Sequence, residues 1–310
     1  MNPVFKEMNK LKDKHKEIHE KIKGKKIAYI DIPMHYNTGD LLIYLGTEAF
    51  FSDYHCDIKY RGLQHSINHK IISQCDIILV HGGGNFGDIY INEHRNREKL
   101  LLKHKEKEII FLPQSIHFNS NDELNKTIDF FNNFSNVTIY TRDHESYLIA
   151  QKICENVIMM PDMAHSLHPL IEESELTNIN KTQKKILNLM RRDNEAVINR
   201  REINKLSFDW SDLCKPSDIF TLRLVRLMNK CHYFDKKKLA MWSSQVNFNV
   251  KLAINTLNNY DVVYTDRLHG FILAYLLGKQ TVLFDNSYGK IEKYVTHWIS
   301  ASELIKKNNE

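Results

Sequence analysis

Cysteine is scarce in this chain of 310 residues: five, at positions 56, 75, 154, 214 and 231, an odd count with no close pair. No CxxC and no zinc-type spacing occurs, so a disulfide framework or a structural zinc site is not expected, and reduced thiols are. Long apolar runs are missing too. No stretch approaches the roughly 20 residues a membrane-spanning helix needs, and the N-terminus lacks the apolar core of a signal peptide. Repeats and low-complexity tracts are absent, as is any convincing metal-ligand cluster. Strong charge bias is lacking: 43 Lys and Arg against 38 Asp and Glu give a net charge of +5. That mild excess suits small acidic substrates or an anionic surface and does not by itself imply nucleic acid. The expectation is a soluble cytoplasmic protein with no metal and no nucleic-acid partner.

What is present is alternation. A chain this long suggests two domains. Residues 3–23 read as a separate basic helix. Val4, Met8, Leu11, His15, Ile18 and Ile22 recur at steps of four and three, forming a seam. Three roles compete for it: packing on its own body, pairing with a second copy, or resting on anionic lipid. A first globular unit spans 25–171, with strand signals at 26–30, 76–80, 108–113, 137–141 and 157–160. Helical segments lie at 40–51, 67–74, 122–131 and 145–152. Residues 172–183 are polar and aperiodic and read as a linker. A second unit, 184–291, carries strand signals at 185–190, 239–242, 262–264 and 281–284, with helices near 219–230, 248–258 and 271–277. Residues 292–310 read as a terminal helix. Alternating strands and helices predict an α/β fold with parallel sheets covered on both faces. Two such units in tandem make a cleft between them the default binding site.

The sharpest local signal is Tyr264-Thr265-Asp266-Arg267-Leu268-His269-Gly270. It follows a short apolar run and precedes an apolar helical segment, so Arg267 and His269 fall in a strand-to-helix turn, where open α/β sheets bind ligands. A helix start supplies free N–H groups, an Arg a fork for carboxylate or phosphate, and a His a proton near neutral pH. The competing reading is a solvated loop with Arg267 paired to Asp266. A glycine-rich segment, His81-Gly82-Gly83-Gly84-Asn85-Phe86-Gly87-Asp88, matches G-x-G-x-x-G. The next strand lacks the ribose-binding acid, which argues against a nicotinamide or flavin cofactor. A turn offering N–H groups to a sugar or anion fits better. Other strand ends carry His35, Asn37, Gly39 and Asp40; Gln114 to His117; Arg142, Asp143 and Glu145; Asp162 and His165; and Arg191 with Arg192. Arg142 with Glu145 is expected to form a helix-start ion pair, and Asp143 to serve as a helix N-cap. The turn after 281–284 adds Asn286, Ser287, Tyr288 and Lys290 as donors.

Taken in order, Asn37-Thr38-Gly39-Asp40, GGGNFGD (82–88), TRDHES (141–146), DMAH (162–165), TDRLHG (265–270) and DNSYGK (285–290) resemble the polysaccharide pyruvyl transferase family over roughly residues 25 to 300. That resemblance implies two Rossmann-like domains in a GT-B-like arrangement with an interdomain cleft. It implies transfer of the enolpyruvyl unit of phosphoenolpyruvate, a co-substrate, onto two hydroxyls of a sugar in a surface or exopolysaccharide precursor, giving a cyclic ketal and phosphate, with no cofactor. By the same resemblance Arg267 and His269 would bind or protonate phosphoenolpyruvate, and Arg191 or Arg192 would hold its phosphate or carboxylate. His165 and His117 both remain candidates for a further histidine. Asn37, Gly83, Gly84, Asn85 and Asp40 would face the acceptor.

The chemistry asks for the same residue types. A donor with adjacent carboxylate and phosphate needs clustered cations, which Arg191, Arg192, Arg267 and Lys290 supply, with Ser287 and Tyr288 as neutral donors. Protonating its methylene carbon needs an acid, for which His269 is the candidate. A carboxylate must accept hydroxyl protons, and Asp40, Asp162 and Asp266 stay open for that role. Rival readings are a GT-B-type glycosyltransferase using a nucleotide sugar and a non-catalytic sugar-binding protein. A lipid-linked acceptor would place the protein at the inner face of the membrane.

Overall fold

A computed structural model describes residues 1–177, 184–192, 207–284, 290–299 and 303–307. Ser287 and Tyr288 lie outside the described residues, as does the side chain of Lys290. The first sheet is parallel, with strands side by side in the order β2 (Ile58–Leu63), β1 (Ile27–Ile32), β3 (Ile77–Val80), β5 (Glu108–His117), β6 (Val137–Thr141) and β7 (Asn156–Met159); β4 (Gly83–Gly87) adds to the far end of β5. The chain reverses its direction of growth between β1 and β3, and crevices for ligands form at the carboxyl ends of strands beside such a switch. A second parallel sheet orders β11 (Ile305–Lys307), β10 (Gln280–Leu283), β9 (Val262–Thr265) and β8 (Ile186–Leu189).

Strands buried on both faces explain their continuous apolar sequences. Along β1 and β3 the pleat sends alternate side chains to opposite faces. Tyr29 and Leu79 enter a cluster that also holds Leu41, Trp242, Phe271 and Tyr275. Ala28, Ile30, Ile78 and Val80 enter another with Phe111 and Phe131. The first cluster runs through both sheets. It is stitched by the Trp242 indole N–H donating to the Pro33 carbonyl at 2.7 Å and the Tyr36 hydroxyl donating to the Asp218 carbonyl at 2.6 Å.

Helix starts follow local capping chemistry. Asn37 caps α3 (Thr38–Asp53), Ser120 caps α6 (Asn121–Phe131), and Asp143 caps α7 (His144–Ile153), as its position before the helical segment predicts. Residues 3–23 form two helices, α1 (Pro3–Lys14) and α2 (Lys16–Ile22), broken at His15. Their seam is spent on the body of the protein: Met8, Leu11, His15, Ile18 and Ile22 are all buried. That corrects the lipid and self-pairing readings of this stripe, because its apolar face is already covered. His15 sits between the Ser166 hydroxyl (2.7 Å) and the Pro161 carbonyl (3.1 Å), and burial pushes its pKa down to about 4.

Three further expectations differ from the structure. Residues 239–242 are not a strand but part of α9 (Asp235–Asn258), which follows α8 (Pro216–Met228). A four-residue apolar run cannot separate strand from helix; the buried set Lys238, Trp242, Val246, Val250, Ala253 and Leu257 keeps helical spacing. The C-terminal segment is not one helix: α11 (Lys290–Trp298) ends, and β11 follows; α10 (Leu268–Leu276) precedes them. The edge strand β2, interrupted by Lys59 and Arg61, and α5 (Ile91–Lys103) gave no clear signal, since α5 buries His94, Arg97 and Glu98 beside only two leucines. Among the described residues no helix is long and apolar enough to cross a membrane.

Candidate active site

The turn between β9 and α10 is built as its sequence predicts. Arg267 occupies the N-cap position with extended backbone, and its N–H donates to the Thr265 hydroxyl at 3.0 Å. His269 follows in the first turn of α10. Both side chains line a cavity of about 320 Å³, near the lower end of the ~300–1,000 Å³ usual for ligand sites. The opposite wall comes from the first sheet: Asn37, Gly39 and Asp40 after β1, Gly84 and Asn85 in β4, and Arg142 at the end of β6. Arg191, after β8, completes a set of three arginines in the cavity that holds His269.

Buried carboxylates hold these cations in place. Asp162, 1% exposed, receives Arg142 Nη1 at 2.5 Å and faces His269 Nε2 at 3.2 Å through the same oxygen, Oδ2. Its Oδ1 accepts the Ala164 N–H at 2.9 Å. Burial alone would raise the Asp162 pKa; His269 and the Arg142 guanidinium outweigh it and hold the carboxyl well below the usual carboxylate range. Arg142 does not pair with Glu145, which instead meets Lys293; its Nε donates to Ser115 Oγ at 2.9 Å, and that hydroxyl donates to Asp143 at 2.7 Å. Arg267 pairs with Asp209 at 2.6 Å rather than with Asp266. Asp266 accepts the Arg191 backbone N–H at 2.8 Å, and burial raises its pKa.

From behind, α11 braces the constellation. The Tyr294 hydroxyl accepts the Asp162 N–H at 3.0 Å and lies 2.9 Å from His165 Nε2. The Trp298 indole N–H donates to the Arg142 carbonyl at 2.7 Å. Gly39 fits because it has no side chain: a Cβ there would sit 2.6 Å from His269 Nδ1. Asp40 lines the cavity, with His35 Nε2 3.6 Å from its Oδ2.

The structure therefore gathers His269, Arg267, Arg191, Asn37, Asp40, Gly84 and Asn85 at one cavity, and Asp162 directly behind it. Gly83 is not itself among the cavity residues, although a Cβ built on it would lie 3.5 Å from Asp40 Oδ1. Three further expected contacts are not met. His165 is fully buried against Tyr294, and burial pushes its pKa down to about 3. Arg192 turns to Ser211 and Asp212. His117, at the end of β5, hydrogen-bonds Asn119 at 3.1 Å and is not among the cavity residues. The glycine-rich segment is a short strand rather than a turn; Gly87 adopts φ +123° and passes so close to the His117 carbonyl that no Cβ fits. Reasoning from sequence missed Gln64, Tyr90, Glu93 and Trp210 as lining residues. Arg142 carried the available signal, a cation at a strand's carboxyl end.

Parallel sheets with a small, arginine-rich cavity beside a topological switch define a class: α/β proteins built to hold a compact anionic ligand. The polysaccharide pyruvyl transferase family model matches residues 37–288. A Bacillus subtilis (strain 168) protein named "Putative pyruvyl transferase EpsO" is 36% identical over 286 residues, covering 89% of this chain and 86% of that one. "Pyruvyl transferase 1" of Schizosaccharomyces pombe (strain 972 / ATCC 24843) is 28% identical over 305 residues, covering 90% and 71%. In fold, the chain is similar to the crystal structure of a functional uncharacterized protein, KP1_0663, from Klebsiella pneumoniae subsp. pneumoniae NTUH-K2044, with a TM-score of 0.61, 22% identity and full coverage of both chains. The chain belongs to the polysaccharide pyruvyl transferase family. It is accordingly a transferase of pyruvyl groups with a glycan acceptor.

Proposed function

We propose that the donor is phosphoenolpyruvate and that the product is a cyclic pyruvate ketal bridging two hydroxyls of one sugar, with phosphate released. The observation that carries this is the placement of Arg142, Arg191 and Arg267 with His269 in a single small cavity. A donor with a carboxylate and a phosphate on one carbon needs such a cluster. In the reaction, His269 delivers its proton to the methylene carbon, leaving a cationic centre on the neighbouring carbon. One sugar hydroxyl adds there and gives its proton to Asp40. The carbon–oxygen bond to phosphate breaks, and the departing phosphate carries off the proton held by Asp40. The second hydroxyl then closes the ring and gives its proton to the freed carboxylate, from which it passes through solvent to restore the acid form of His269. Asp162 orients His269 and holds it opposite the donor. We further propose that the two sheets are the cores of two Rossmann-like domains in a GT-B-like arrangement, with donor groups on the second and acceptor groups on the first. The precursor of a surface or exopolysaccharide is the expected acceptor.

The test is phosphate release from phosphoenolpyruvate across a panel of hexosides, with mass spectrometry of the sugar product. A ketal-bearing sugar appearing together with phosphate is the expected outcome. Thermal stabilisation by a nucleoside diphosphate but not by phosphoenolpyruvate, with no phosphate release, would turn the assignment toward a nucleotide-sugar glycosyltransferase.

A further inference from the structure

A larger cavity, about 690 Å³, lies beyond the site and shares Gln64 and Glu93 with it. A third hollow of about 420 Å³, lined by His35, Gln64, Glu93, Arg226 and Lys230, bridges the two. The three form a continuous trough from the β1–α3 loop to the outer face of α5. Its far end is basic. Arg97 is neutralised by Asp31 at 2.6 Å, but Lys99, Lys103 and Lys230 also line it and have no ion-pair partner among the described residues. Lys99 and Lys103 are one helical turn apart on α5, so their stems rise from the same face, roughly 5–6 Å apart at Cβ. The backbone at this end is also held in an uncommon form. Asp31 (φ 62°) and His65 (φ 63°) are two of the three non-glycine residues with positive φ among those described, and both line the trough. Such conformations persist where surrounding structure imposes them, and they gather at ligand sites.

We infer that this trough holds a phosphoryl or diphosphoryl group carried by the acceptor sugar, leaving the sugar's free hydroxyls to enter the site past His35 and Gln64. The inference rests on the pyruvyl-transfer reading and names the acceptor class: a sugar phosphate or diphosphate ester rather than a neutral glycan. Nucleotide-linked and lipid-linked sugars share that chemistry. Three ammonium groups with no ion-pair partner among the described residues suit a multiply charged group, whereas the compact donor is matched by the guanidinium forks of the smaller cavity.

The test compares one hexose in three forms, as a methyl glycoside, as a nucleoside diphosphate sugar and as a short-chain polyprenyl diphosphate sugar, with the full-length protein. At least one diphosphate form should show an acceptor KM lower than the neutral glycoside by about tenfold or more, the scale of one to two partly screened charge contacts. Lys103→Ala together with Lys230→Ala should erase that difference. Which diphosphate form gains tells the nucleotide source from the lipid source. Equal KM values for all three forms, or a preference that survives loss of both lysines, would overturn the inference. Calorimetry with inorganic pyrophosphate keeps the two readings apart should no acceptor turn over. Binding by the wild-type chain that is lost in the double variant supports the trough even if pyruvyl transfer fails. No binding by the wild-type chain refutes it.

Discussion

Gly39→Ala tests the site with one methyl group. Gly39 stands in the first turn of α3 with its backbone against the imidazole of His269. A Cβ at this position falls 2.6 Å from Nδ1, 3.0 Å from Cγ and 3.2 Å from Cβ of His269. To reach an ordinary contact of 3.4 Å, Nδ1 has to retreat by about 0.8 Å. The atoms in the way belong to a side chain, so the ring moves and the helix does not. The other ring nitrogen is then drawn off Asp162, from which it now stands 3.2 Å away. Alanine favours the helix by about 0.5–1 kcal/mol over glycine. Loss of a hydrogen bond to a charged group costs about 1.5–3 kcal/mol. The net destabilisation is therefore about 0.5–2.5 kcal/mol, a Tm change of roughly 1–4 °C for a chain of this size. Turnover should suffer far more, because a misplacement near 1 Å can cost ~10²-fold. Phosphate release from phosphoenolpyruvate gives the rate, and a thermal melt gives the stability. A variant with the wild-type rate would show that the position of His269 is irrelevant to turnover.

His269→Ala should retain the fold and lose turnover by about 10²–10⁴-fold; near-normal kcat would remove it from the acid role. Arg267→Ala should raise the KM for phosphoenolpyruvate and also lower the Tm, since Asp209, 3% exposed, keeps a buried charge without its guanidinium partner; an unchanged KM would take Arg267 out of donor binding. Asp40→Asn should lower turnover by about 10²–10⁴-fold with little change in Tm, whereas Asp162→Asn should lower both the rate and the Tm, because it leaves the Arg142 guanidinium without its buried partner; the reverse pattern would exchange their roles. Burial holds the pKa of His15 and His81 down at about 4 and that of His165 at about 3, against 6.5 unfolded. The unfolded chain then binds more protons below pH 6.5, so stability is full above that value and falls as pH drops toward 4, by on the order of 3 kcal/mol for each fully buried imidazole. Melts between pH 7.5 and 4.5 check this, and a flat Tm would refute it.

What could be read from sequence was local chemistry. The Arg267–His269 turn was legible because strand, polar turn and apolar helix are contiguous, and ligand sites recur at that junction. The cap at Asp143 was legible for the same reason. The partners of the site cations were not. Arg142 has an acid three residues on, yet the end of β6 points it across the parallel neighbour toward Asp162, and burial makes that pair the stronger one. Arg267 has an acid beside it in sequence, but pairs with Asp209, from a segment with no strand pattern at all. His165 sits two residues past a site-facing turn, and only the packing of Tyr294 shows that its ring faces inward. In each case the choice between two polar partners was settled by tertiary packing, which local propensity does not encode.

The division of labour among three carboxylates follows from the same packing. A base for a sugar hydroxyl needs a lone pair open to the substrate and a charge not fully spent on fixed cations. Asp162 fails on both counts: Oδ1 is taken by a backbone N–H, Oδ2 by Arg142 and His269, and its depressed pKa makes it a poor proton acceptor. Those same features suit it to fix the imidazole in place. Asp266 is buried away from the cavity and engaged with the backbone of Arg191. Asp40 alone of the three lines the cavity, its side chain 25% exposed and facing His35. It lies in the first turn of α3, where Gly39 presses on His269, so acid and base are set by opposite ends of one contact between the two sheets. Shifting that contact should therefore impair proton delivery and proton removal together.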